Sequence, residues 1–232
     1  TLGAYAALIG YDWSALRYIR KTLPLRTIAL GGFLGYAFGN TIGLNAVSGG
    51  AVRYRIYSAL GLSAFDVAAI ATFASLAYGF GATIIGLCSI AIHPMALHGV
   101  LPFDPRLLRW GAAGALVALA LGLGLVSVRG MTLRLGRFAI PAPSPAIMAG
   151  QLGFTILDIA LSAATLYVLL PTGNLDFATF VAVFAAATMA GVLSHVPGGV
   201  GVFESVVIAA LPAEVPIPHA AAALLLFRLI YY

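Results

Sequence analysis

The sequence predicts an all-α integral membrane protein, a polytopic helical bundle with two opposed re-entrant helical hairpins. Composition and span length carry the first half of that expectation. Of 232 residues only 8% are charged and 62% are hydrophobic, where a soluble domain has about a quarter charged. Apolar stretches of about 20 residues, enough to cross a hydrocarbon core of about 30 Å, recur along the chain. The alternating polar and apolar segments of a membrane β-barrel are absent. A soluble fold has no means of hiding so much apolar surface, whereas in lipid that exterior costs nothing and helices satisfy their own backbone.

The elements follow in order. Residues 1–10 read as the last turns of a helix that begins upstream. Residues 11–26 carry Arg17, Arg20, Lys21 and Arg26 among Tyr11, Trp13 and Tyr18, a basic and aromatic mixture that belongs at a cytoplasmic membrane–water interface. Residues 27–47 are apolar and glycine-rich, and 48–62 carry Arg53 and Arg55. Residues 64–92 form a clean span whose start, Ser63-Ala64-Phe65-Asp66, has the form of a capping box, so Asp66 reads as a helix cap. A loop with His93, His98 and three prolines leads to a span over 107–127, then a basic loop over 128–143. Ser144-Pro145 opens the next span, serine as N-cap and proline at the first helical position. After a turn at 171–176, residues 177–194 are apolar, 195–202 glycine-rich and 203–211 apolar but short. A proline-rich turn at 212–218 precedes a last helix that the chain leaves unfinished. The whole, 1–232, reads as one transmembrane domain truncated at both ends.

Charge sets the hairpins. Loops 11–26 and 128–143 are basic, while 171–176 and 212–218 hold no Lys or Arg, which places the first two inside and the last two outside. For Arg53 and Arg55 to lie inside as well, the stretch of about 27–62 must enter and leave by one face. For 212–218 to lie outside, the stretch of about 177–211 must do the same from the other. Opposed broken helices are how many transporters build a midplane site.

Four features could carry chemistry. Gly31, Gly35, Gly39 and Gly43 recur every fourth residue, a smooth stripe that reads as tight helix packing or as a substrate-facing groove. In Ser48-Gly49-Gly50-Ala51-Val52-Arg53-Tyr54-Arg55 the glycines let the chain turn and free amides for an anion. The arginines add planar donors suited to phosphate, and Tyr54 suits the headgroup layer. In Ser194-His195-Val196-Pro197-Gly198-Gly199-Val200-Gly201-Val202-Phe203-Glu204 the glycines permit a non-helical backbone. There Glu204 either caps the half-helix that follows or serves as a substrate or counter-ion group, and His195 titrates near neutrality. Asp158 and Arg228 lie inside apolar runs and need partners. Glu204 or Asp158 with Arg228 or Arg53 are the candidate pairs. Cys88 reads as a small core hydrophobe. No phosphate-binding P-loop, catalytic set or metal-ligand spacing is present, so no cofactor is expected.

These two glycine motifs, with Gly39-Asn40-Thr41-Ile42-Gly43 before the first and Phe227-Arg228-Leu229-Ile230-Tyr231-Tyr232 after the second, resemble the membrane domain of the bacterial lysyl-phosphatidylglycerol synthase/flippase family, also called multiple peptide resistance factors. The resemblance implies a flippase that carries aminoacylated phosphatidylglycerol to the outer leaflet of the inner membrane, conferring resistance to cationic antimicrobial peptides. It implies anionic and aminoacylated phospholipids as partners, and leaves a homo-oligomer open. It also implies a parent chain with a C-terminal domain that takes the aminoacyl group from aminoacyl-tRNA. In that reading Arg53 and Arg55 hold the lipid phosphate while Glu204 and Asp158 hold the ammonium group. The alternatives are a membrane scaffold for the lipid aminoacyltransferase and a transporter of another lipid or a small solute.

Overall fold

The computed structural model describes residues 2–42, 45–97, 103–135, 138–171, 175–194 and 196–231. Its helices are α1 (Leu2–Tyr18), α2 (Leu25–Ile42), α3 (Asn45–Tyr57), α4 (Ala64–Ile92), α5 (Pro105–Val128), α6 (Pro145–Leu169), α7 (Phe177–Leu193), α8 (Val202–Ala210) and α9 (Ile217–Tyr231). Helices α4, α5 and α6 are each long and apolar enough to cross a membrane.

The starts of these helices follow local chemistry. Ser63 and Asp66 exchange side-chain and backbone bonds as a capping box. The Ser144 hydroxyl accepts from the Ile147 amide ahead of Pro145, and Asp104 does the same for α5 ahead of Pro105. Asp176 caps α7 through the Thr179 amide at 3.0 Å. This exposed carboxyl is held below the ordinary carboxylate range by its bonds from the Thr179 side chain and backbone.

Three expectations are corrected. The first helix does not end near Gly10 but runs on to Tyr18, because nothing in Tyr11-Asp12-Trp13-Ser14 breaks a helix. The turn that follows holds Arg20, the one described non-glycine residue with positive φ, 57°. Ser48-Gly49-Gly50 is not a turn. It lies inside α3, which is already under way at Asn45, so Gly49 is past the amides that a helix start leaves unpaired. The basic loop 128–143 contains a short antiparallel ribbon, β1 (Thr132–Leu135) with β2 (Phe138–Pro141), in which Thr132 faces Pro141. The Met131 carbonyl, accepting from the Ala142 amide, closes its base.

The two ends of the bundle are distinct. At one end the Tyr18 hydroxyl donates to the Pro141 carbonyl at 2.6 Å, and Lys21 lies 3.9 Å from Asp66. This gathers the α1–α2 link, the α3–α4 link and the α5–α6 ribbon. At the other end His93, Arg109, Leu175, Thr179 and Pro212 line an open cavity of about 430 Å³. Helices α2 and α3 therefore both open toward the basic end, and α7 and α8 toward the opposite one. At 18 and 13 residues, α2 and α3 are about 27 and 20 Å long, and the nine-residue α8 only about 14 Å. The hairpins are opposed, and each has an arm short of a hydrocarbon core of about 30 Å.

Small residues set the crossings. A Cβ on Gly10 would enter the Phe154 ring, so α1 lies close on α6 there, and one on Gly81 would meet Thr155 where α4 crosses α6. The largest core joins α6, α7, α8 and α9 around Phe180, Phe184, Phe203 and Phe227. Helix α5 stands apart: it buries only Ala112 and Ser127, and exposes Leu107, Trp110, Val117, Leu121 and Leu125 as a lipid-facing surface.

Candidate functional site

An arginine in an apolar hairpin demands an acid, and the acid comes from α1. The Arg53 Nε donates to both carboxylate oxygens of Asp12, at 2.8 and 3.1 Å. The Tyr57 hydroxyl donates to the same carboxylate at 2.6 Å. Arg53 is 2% exposed, and Asp12 and Tyr57 are fully enclosed. The guanidinium carbon also lies 4.4 Å from the centre of the Tyr36 ring, a cation–π contact strengthened by the absence of water. The glycine stripe makes room for this assembly. A Cβ on Gly31 would overlap the Tyr57 ring, and one on Gly35 would come within 2.9 Å of the Arg53 guanidinium. Gly39 is buried as well, whereas Gly43 lies outside the described residues.

The first motif is thus divided. Arg53 faces inward to Asp12, while Tyr54 and Arg55 are exposed near the end of α3. In the sequence Asp12 stands among basic and aromatic residues that suit an interface, 41 positions from Arg53, so no local pattern points to it.

The second motif forms a compact unit. Gly198, Gly199 and Gly201 all have positive φ, at 61°, 61° and 83°, a left-handed run that only glycine adopts cheaply. Gly199 also passes against the Gly191 backbone, where an added Cβ would stand 3.1 Å from the Gly191 Cα. The turn delivers Glu204 to the first turn of α8, where it both caps that helix and pairs with Arg228. One carboxylate oxygen accepts from the Gly201 amide at 2.7 Å, and the other receives the Arg228 Nε at 2.5 Å. Arg228 also donates to the Gly198 carbonyl at 2.9 Å. Unlike the first pair, this one is partly open, with side chains 22% and 18% exposed. His195 lies outside the described residues.

Asp158 belongs to neither pair. It is 3% exposed and accepts from the Tyr231 hydroxyl at 3.0 Å and the Ser162 hydroxyl at 3.4 Å. It lines a cavity of about 40 Å³ with Tyr78, Ser162, Thr188 and Tyr231. Nearby, α1 is fastened to α6 by Ser14, whose hydroxyl donates to the Gln151 side chain. Among the described residues no three His, Cys, Asp or Glu gather as a metal site.

Fold and charge placement together define an all-α integral membrane protein with two short opposed hairpins, each supplying one member of a charged pair. The chain is 34% identical to the uncharacterized protein slr0712 of Synechocystis, over 98% of this chain and 71% of that protein. It belongs to the same family. It is also similar to the inner membrane protein YbhN of Escherichia coli, 28% identical over 96% of this chain and 70% of that one. No family model matches.

Proposed function

We propose that this domain moves lipid headgroups across the bacterial inner membrane, with aminoacylated phosphatidylglycerol as the substrate its charges suit best. The observation that carries the reading is the Glu204–Arg228 pair. It is partly open and clasps a non-helical glycine turn, its acid at the head of a helix too short to span. A headgroup with a phosphate and an ammonium offers the same two charges as the pair itself. Its ammonium exchanges for Arg228 at Glu204, and its phosphate takes the Arg228 guanidinium in a charge-assisted contact. Because each protein charge trades one partner for another, the headgroup enters without leaving a buried ion unpaired. Exposed Arg55, with Tyr54 beside it, collects the phosphate at the basic end, while the acyl tails stay in lipid. Inaccessible Arg53 holds the first hairpin in place. The resemblance of both glycine motifs to the lysyl-phosphatidylglycerol flippases supports the choice of lipid. The inner membrane named for the relative YbhN supports the location.

The test is leaflet transfer in proteoliposomes. Labelled lysyl-phosphatidylglycerol is followed by its accessibility to an external amine-reactive probe, with phosphatidylglycerol as the anionic comparison. Transfer above empty liposomes that is lost in Glu204→Gln supports the reading. No transfer by folded protein, or equal transfer by Glu204→Gln, overturns it and shifts the assignment to a synthase scaffold or a solute carrier.

A further inference from the structure

Asp158 is the one described acid within the three long apolar helices, apart from the capping Asp66, and neither charged pair uses it. A carboxylate at the middle of α6, removed from water, is costly unless a cation neutralises it. Yet among the described residues no Lys, Arg or His comes within ion-pair distance. Among the described residues, the titratable groups facing it are tyrosines: Tyr5 and Tyr11 from α1, Tyr36 from α2, Tyr78 from α4 and Tyr231 from α9. From α7 the polar neighbour is the neutral Thr188. None of these can supply a positive charge at neutral pH.

No described side chain supplies the cation, and the surroundings favour one kind from outside. A hard metal ion needs a cage of acceptor oxygens. Here the Tyr231 and Ser162 hydroxyls already donate into the carboxylate, and Ile159, Phe184, Phe203 and Phe227 supply much of the remaining wall. A proton needs no cage. It needs one oxygen and a route, and a cavity of about 40 Å³ beside the carboxylate has room for water. We infer that Asp158 is a proton-binding site within the bundle, loaded and emptied through this cavity.

The site is placed where occupancy matters mechanically. Tyr231, which donates to Asp158, lies three residues after Arg228 on α9, so the two share a face of that helix. Helix α9 is thereby tied to α6 through Tyr231 and to the glycine turn and α8 through Arg228. A protonated carboxyl is a weaker acceptor than a carboxylate, so loading the proton slackens one of these two ties.

The inference does not rest on the lipid reading, and its test uses no transported substrate. Purified protein is taken through a pH change and followed by infrared difference spectroscopy in the carboxylic-acid carbonyl region. The expected result is a protonation band that is lost in Asp158→Asn and kept in Glu204→Gln. Tyr231→Phe leaves the acid in place, removes its main donor and should shift the band, which covers failure of Asp158→Asn to fold. A band unchanged in Asp158→Asn, one unmoved in Tyr231→Phe, or a carboxylate signal driven by sodium at fixed pH would each overturn the proposal.

Discussion

Removing Asp12 should damage the protein more than removing Asp12 and Arg53 together. In Asp12→Ala the guanidinium loses both contacts from Nε and stays 2% exposed. The Tyr57 hydroxyl loses its 2.6 Å acceptor and keeps only the distant Ile28 carbonyl at 3.5 Å. Breaking one side of a buried pair costs about 3–5 kcal/mol, equivalent to about a hundredfold to several thousandfold in the folding equilibrium. Replacing both partners with apolar residues of similar volume, Asp12→Leu with Arg53→Met, removes the uncompensated charge and should recover most of that loss. The assay is a double-mutant cycle, measured by denaturant titration in mixed micelles and by thermal retention of monodisperse protein in detergent. A coupling of about 2 kcal/mol or more is expected, since contacting residues couple in the range of about 0.5–3 kcal/mol. Single variants that each cost under about 0.5 kcal/mol and add without coupling would refute the claim that this pair holds α1 to α3.

Two further outcomes follow from the geometry. Gly31→Ala should destabilise by about 1–3 kcal/mol through overpacking, because the Tyr57 ring it meets is anchored to Asp12. Gly50→Ala, a helical glycine with nothing within 4 Å of an added Cβ, should stabilise by up to about 1 kcal/mol, and the same detergent melts compare the two. The Asp176 cap carries a pH signature. Its carboxyl is depressed in the folded protein, so its contribution is present above the ordinary carboxylate pKa and is lost as pH falls through the lower folded value. Asp176→Asn should flatten that part of the pH–stability profile, measured by melting below pH 5.

Much of the bundle was legible because hydropathy and caps act locally. Ser63, Ser144 and the apolar runs behind them mark α4 and α6 with no need of a partner. The hairpins were legible only through charge asymmetry between loops, and their details were not. Gly49-Gly50 looks like a turn in isolation, yet it is helical in α3, where packing overrides the local cost of glycine. Asp12 was hidden for the opposite reason. Its neighbours Tyr11, Trp13 and Arg17 suit an interface, and only its contact with a residue 41 positions away shows it to be interior. The Glu204–Arg228 pair was among the candidate pairs from the sequence. That the glycine turn also binds Arg228 through the Gly198 carbonyl needed the backbone path.

The order of the charged residues along the chain bears on biogenesis. Helices α4, α5 and α6 are apolar enough to partition into the bilayer on their own account, and α5, with almost nothing buried, gains little from waiting for neighbours. The charged segments are different, because an unpaired Arg or Asp at mid-membrane costs about 2.5–3.5 kcal/mol to insert. In both pairs the acid leaves the ribosome first: Asp12 precedes Arg53 by 41 residues and Glu204 precedes Arg228 by 24. Each arginine therefore emerges to a carboxylate already made. The segment bearing it can enter lipid as part of a neutral couple, and the translocon need hold back only the acid-bearing segment until its partner is synthesised.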